Sequence, residues 1–141
     1  MSYTTIIFNA NDAWGFDICS FKVNLVAKEL SIYYRNNKGG YTSSGINLTE
    51  NEAKHINYVA SPKIFENFRD GKWREKMEAV WILDGIEWEM QFISNDGRPL
   101  LEIKSDMKPF LPPPSLVTLV NYVLKIGLPK DYKLNLFTEG E

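Results

Sequence analysis

Leu83-Asp84-Gly85-Ile86-Glu87-Trp88-Glu89-Met90-Gln91-Phe92 is the stretch that decides the fold class of this chain. An Asp-Gly pair suits a tight type I′ turn, because both central positions of that turn need positive φ. Beyond the turn, Ile86, Trp88, Met90 and Phe92 alternate with Glu87, Glu89 and Gln91, the period of a strand buried on one face. A second pair, Asp96-Gly97, closes another hairpin into Leu100–Lys104. Upstream, Trp73, Glu75, Met77, Ala79, Trp81 and Leu83 fall on alternate positions, so Trp73–Leu83 is expected to be the strand that enters the first turn, with a helix as the alternative for its first half. The middle of the chain thus reads as an antiparallel meander.

Towards the N-terminus, Thr4–Phe8 is a short β-prone run ended by the turn-rich Asn9-Ala10-Asn11-Asp12. Cys19, Phe21, Val23, Leu25 and Ala27 alternate with polar neighbours, and Leu30, Ile32 and Tyr34 resume the rhythm, which predicts a hairpin of Phe16–Ala27 with Leu30–Arg35. Tyr41–Asn47 is polar and is expected to be irregular. Thr49-Glu50-Asn51-Glu52 spells a capping box, with Leu48 and Ala53 at the staple positions, and predicts a helix from about Glu50 to Val59. Ser61-Pro62 predicts a second short helix that buries Ile64, Phe65 and Phe68 before Gly71. Pro112-Pro113-Pro114 is a rigid connector. Ser115 then caps a final helix over Leu116–Ile126, with Gly127 as its stop. Asp131–Phe137 offers a last strand. The sum is an α+β fold: a single domain, 1–141, with a mainly antiparallel meander sheet and two or three helices packed on one face.

Composition narrows the classes of function. At 141 residues, with 44% hydrophobic and 24% charged side chains, the chain buries a core without covalent staples. Its 4 Trp, 7 Tyr and 8 Phe point to a core built from large rings. A net charge of −2 lacks the basic excess of a nucleic-acid binder, so a protein or small-molecule partner is the expectation. The lone Cys19 has no partner for an intramolecular disulfide and reads as a small buried hydrophobe. Met1–Phe8 lacks the basic start and apolar run of a secretory signal, and no run approaches the roughly 18 apolar residues of a membrane helix. The cytoplasm is the expected address.

Little in the chain spells catalysis. The only histidine, His55, sits on the shoulder of the first predicted helix, where a solvent-edge role is the simpler reading. No nucleophile motif surrounds any Ser or Cys19, one His and one distant Cys do not make a zinc site, and no Gly-rich phosphate loop is present. No cofactor is expected. Asp84 followed by Glu102-Ile103-Lys104 on paired strands resembles the signature of metal-dependent nucleases, in which two carboxylates hold a divalent ion and a lysine positions water. The plainer account is that Asp84 serves its turn while Glu102 and Lys104 share a solvated face with Glu87 and Glu89.

The Asp84-Gly85-x-x-Trp88 hairpin, the second turn at Asp96-Gly97-Arg98 and the Pro-started helix together resemble a loose group of small bacterial α+β domains. The resemblance covers about Trp81–Gly127. Ser105-Asp106-Met107-Lys108-Pro109-Phe110 stands where that group carries a Gly-x-Asn-x-x-Pro-like turn. Small bacterial proteins of this kind are often immunity proteins, so the resemblance implies a non-enzymatic inhibitor that occludes a toxin or effector. Expected contact residues are an acidic face of Glu87, Glu89 and Glu102, with the aromatics Trp14, Tyr33, Tyr41 and Trp73 near loops or strand edges.

Overall fold

Six described strands pair antiparallel throughout, and all but the edge strand Tyr41–Asn47 carry apolar side chains on one face. The structure, a computed structural model, describes residues 3–12, 14–60, 86–105, 114–132, 134 and 136. Its elements in chain order are β1 (Tyr3–Asn11), β2 (Asp17–Asn24), β3 (Glu29–Arg35), β4 (Tyr41–Asn47), α1 (Glu50–Val59), β5 (Glu87–Ser94), β6 (Pro99–Lys104) and α2 (Pro114–Gly127). The sheet order is β4-β3-β2-β1-β5-β6. The fold is α+β, with two helices among the described residues.

The hub of the sheet is β1. It pairs with β2 on one side and β5 on the other, from Thr5↔Asn24 and Thr5↔Ile93 to Asn11↔Asp17 and Asn11↔Glu87. The sequence marked only a short run here, because Asn9 and Asn11 look like turn formers when their partners are unknown. Both edges of β5 are occupied, by β1 and by β6. At its start, where β6 has ended, the Ser105 amide donates to the Trp88 carbonyl at 3.0 Å and the Trp88 amide to Ser105 Oγ at 3.1 Å. The Asp84-Gly85 turn, the Trp73–Leu83 strand and the Ser61-Pro62 helix lie outside the described residues. The Asp96-Gly97 turn is present, with Gly97 at a φ of +85° that a side chain would resist.

Several boundaries differ from the sequence reading. Tyr41–Asn47 is a strand rather than an irregular segment. It escaped the pattern because it lies at the sheet edge, where Thr42, Ser44 and Ile46 are only half-buried and need not be apolar. β2 stops at Asn24, whose Oδ1 accepts from the Val26 and Ala27 amides at 3.1 and 3.0 Å and curls the chain out of the strand. α2 begins at Pro114, not after a Ser115 cap, and the fixed φ of proline suits a first helical position. No strand is formed at residues 131, 132, 134 or 136 of the C-terminal segment. α1 matches its prediction: the Glu52 amide donates to Thr49 Oγ1 at 3.1 Å and Glu52 Oε1 accepts from the Thr49 amide at 2.8 Å.

One face of the sheet forms the core. Ile6, Phe8, Phe21, Val23, Leu30, Ile32, Trp88, Met90, Phe92 and Ile103 project into it, together with Ala53 and Ile56 of α1 and Leu119, Val120 and Val123 of α2. A register shift between Tyr3 and Thr5 restores phase, so that Tyr3 and Ile6 are both buried. Tyr3 meets Phe92 edge-on with ring centroids 5.3 Å apart, and its hydroxyl donates to the Ala60 carbonyl at the end of α1. Gly127 is the last residue of α2, without positive φ, and it is also a contact: a Cβ there would sit 2.9 Å from Ile32 Cδ1. The glycine read as the helix stop does end α2, and it is also where the helix touches the sheet. Pro129, two residues on, bars the helix from continuing.

Candidate functional site

The opposite face of the sheet carries polar and aromatic side chains. Two rows cross it: Ser43–Tyr33–Ser20–Asn9–Glu89–Lys104, and Gly45–Ser31–Lys22–Ile7–Gln91–Glu102. The glutamates expected as an acidic face therefore do share it. Lys104 stands opposite Glu89, and the Gln91 side-chain amide donates to Glu89 at 3.0 Å and to Glu102 at 3.1 Å. Glu87 is exposed at the start of β5, opposite Asn11.

At that same end of the sheet the β1–β2 loop is pinned by one carboxylate. Asp12 Oδ1 accepts from the Trp14 amide at 2.9 Å and the Phe16 amide at 3.0 Å, while Oδ2 accepts from the Arg35 guanidinium at 2.9 Å. Desolvation works to raise the pKa of Asp12, but these bonds, led by that from Arg35, outweigh it and hold the carboxyl below its usual range. Arg35 also donates to the Asp17 carbonyl at 3.1 Å, and the Tyr41 hydroxyl reaches the same oxygen at 3.0 Å. Tyr41 lies flat on Tyr33, with centroids 4.9 Å apart and planes 5° from parallel.

This scaffold holds aromatic surface in water. Trp14 is 85% exposed and Phe16 62%, while Tyr33 and Tyr41 are exposed on their outer sides. Trp14 and Tyr33 were expected at the surface and are there; Trp73 lies outside the described residues. Phe16 was missed. Its signal was phase, since it alternates with Ser20 and Lys22 rather than with the buried Cys19 and Phe21. Val26 and Tyr58, at 71% and 80% exposure, stand apart from this end, on a different loop and on α1.

The residues weighed for chemistry do not converge. Glu102 and Lys104 are exposed on the edge strand β6, and Asp84 lies outside the described residues. Among the described residues no three of His, Cys, Asp and Glu gather as a metal site would need. His55 is exposed and its ring meets Tyr122 at 4.2 Å. Cys19 is fully buried, and loss of solvent pushes its thiol up to about 12. A depression of about 500 Å³ at the end of α2, lined by Leu124, Lys125, Lys130 and Tyr132, opens to solvent. Another of about 310 Å³ lies between Asn9, Asn11, Glu87, Glu89 and Lys104. No described helix is long and apolar enough to cross a membrane. No family model matches the chain, and neither a curated protein nor a solved structure is significantly similar to it.

Proposed function

We propose that this chain is a non-enzymatic binding protein of the immunity type, which neutralises a bacterial toxin or effector protein by seating the Asp12–Asp17 end of its open sheet face against it. The observation that carries the reading is the pinned aromatic loop: Trp14 and Phe16 stand in solvent on a backbone held by Asp12 and Arg35. Large exposed rings serve no core, and a loop already held in shape loses less entropy when a partner covers it. Trp and Tyr are the side chains that most often anchor protein interfaces. Glu87, on the same end of the sheet, and Glu89 and Glu102 beyond it favour a partner with a basic surface.

The test has two arms. The chain is used as bait to capture its partner from the cells of origin, beside a Trp14→Ala/Phe16→Ala double variant. Any captured protein is then produced without the chain. The reading expects a partner that arrests growth alone, is rescued by the wild type, and binds the double variant at least about 30-fold more weakly, the effect of losing one interface anchor. Thermal unfolding of the variant is expected to match the wild type, since both rings are exposed. A captured protein that is harmless, or that binds both forms alike, refutes the proposal.

A further inference from the structure

The two edges of the sheet differ in how they are guarded. β6 opens with Pro99 and carries Glu102 and Lys104, which are the usual defences of an exposed edge. β4 reads Tyr41-Thr42-Ser43-Ser44-Gly45-Ile46-Asn47, with no proline, no charge and no register shift against β3. The Asn36 amide donates to the Gly40 carbonyl and the Leu48 amide to the Lys28 carbonyl, which brackets this ladder. Antiparallel bonding alternates between residues, so Thr42, Ser44 and Ile46 bond to β3. Tyr41, Ser43, Gly45 and Asn47 then turn their amides and carbonyls to the outer edge, where no strand pairs with β4 among the described residues.

We infer that β4 pairs antiparallel with β4 of a second copy of this chain, joining two sheets into one across a two-fold axis at Ser44. This goes beyond the proposed inhibitor function and does not depend on it. Pairing about Ser44 uses all seven residues: Tyr41 faces Asn47 of the second copy, Thr42 faces its Ile46 and Ser43 its Gly45. The outward groups of Tyr41, Ser43, Gly45 and Asn47 all find partners in this register. The residues at the axis are small, and β4 brings no charge to it. On the flanking β3 strands, Glu29 falls on the row of Arg35 from the second copy, so no like charges share a row. An edge of seven residues is a small interface, which makes the dimer reversible and dependent on concentration.

Sedimentation equilibrium over about 5–500 µM is expected to show the wild type moving from monomer to dimer, the range in which small interfaces associate. Ser43→Pro removes an amide that points to the free edge, leaving the bonds to β3 in place, and is expected to hold the chain monomeric. Gly45→Lys is expected to do the same, with room for its side chain because nothing lies within 4 Å of an added Cβ. Circular dichroism of both variants is expected to match the wild type. Ser44→Cys places two thiols across a non-bonded pair, about 4.5 Å apart at Cα, and is expected to form an intermolecular disulfide under mild oxidation. The buried Cys19 does not compete. A wild type that stays monomeric throughout, a dimer that survives both edge variants, or Ser44→Cys oxidising no faster than Asn37→Cys in the exposed β3–β4 turn overturns the inference.

Discussion

Gly127→Ala pits two effects of known sign against each other. Within a helix Ala is favoured over Gly by about 1 kcal/mol, and Gly127 closes α2, so helix propensity alone predicts stabilisation by at most that amount. The added methyl, however, lands 2.9 Å from Ile32 Cδ1, 3.2 Å from Leu30 Cδ2 and 3.4 Å from Ile32 Cγ2. Carbon atoms rest about 3.5–4.0 Å apart, so the closest approach is short by roughly 0.6 Å or more. Ile32 and Leu30 are 1% and 0% exposed, with no solvent to move into. Overpacking of this kind costs about 1–3 kcal/mol, which gives a net destabilisation of about 0–2 kcal/mol. Ile32→Val deletes the nearest atom and alone costs about 0.5–1.5 kcal/mol. In that background the alanine methyl fills the vacated space, and Gly127→Ala is expected to become neutral or to stabilise by up to about 1 kcal/mol. The coupling, about 1–2 kcal/mol, falls within the range for residues in contact. Urea unfolding of the four proteins, compared at equal slope, measures it. Additivity within about 0.5 kcal/mol, or a wild-type background stabilised by Gly127→Ala, refutes the seating of α2 on β3.

The Asp12 anchor has a pH signature. Its folded pKa lies below the unfolded value, so its contribution is present above about pH 4 and is lost as pH falls through the folded pKa. The stability difference between wild type and Asp12→Asn is therefore expected to shrink on acidification in urea titrations, and a difference that holds steady down to about pH 2 refutes the anchor. Cys19 is expected to resist thiol reagents at pH 8 in the folded protein and to react at the rate of unfolding, because burial keeps it neutral. Labelling of the native protein at the rate of a free thiol contradicts that burial.

Local elements were legible because their causes are local. The capping box at Thr49 and Glu52 fixes the start of α1 wherever the helix packs, and the Asp96-Gly97 turn needs only a residue free to take positive φ. The alternation in β2, β3 and β5 was legible for a similar reason, since a strand buried on one face must write its period into the chain. What escaped was non-local. The pairing of β1 with β5 joins residues some eighty positions apart, and nothing in Thr4–Phe8 distinguishes a peripheral strand from the hub. Gly127 is both the end of α2 and a close contact; the first role was legible in the sequence, and only the nearness of Ile32 and Leu30 reveals the second. β4 was lost because an edge strand has no obligation to alternate.

The candidate site was legible only in part, and the reason differs from that for the fold. Catalysis restricts residue type, which a sequence records directly. Binding restricts exposure, which composition does not record. Trp14 and Phe16 are written with the same letters as Trp88 and Phe92, yet the first pair stands in solvent and the second fills the core. What separates them is phase and place: Trp88 and Phe92 keep time with Met90 along β5, whereas Trp14 and Phe16 flank a turn and fall out of step with the buried side chains of β2. The aromatic excess therefore has two populations, one in the core and one in solvent. The out-of-phase minority stands in solvent on a loop held in place by Asp12 and Arg35, and it is on these rings that the proposed binding role rests.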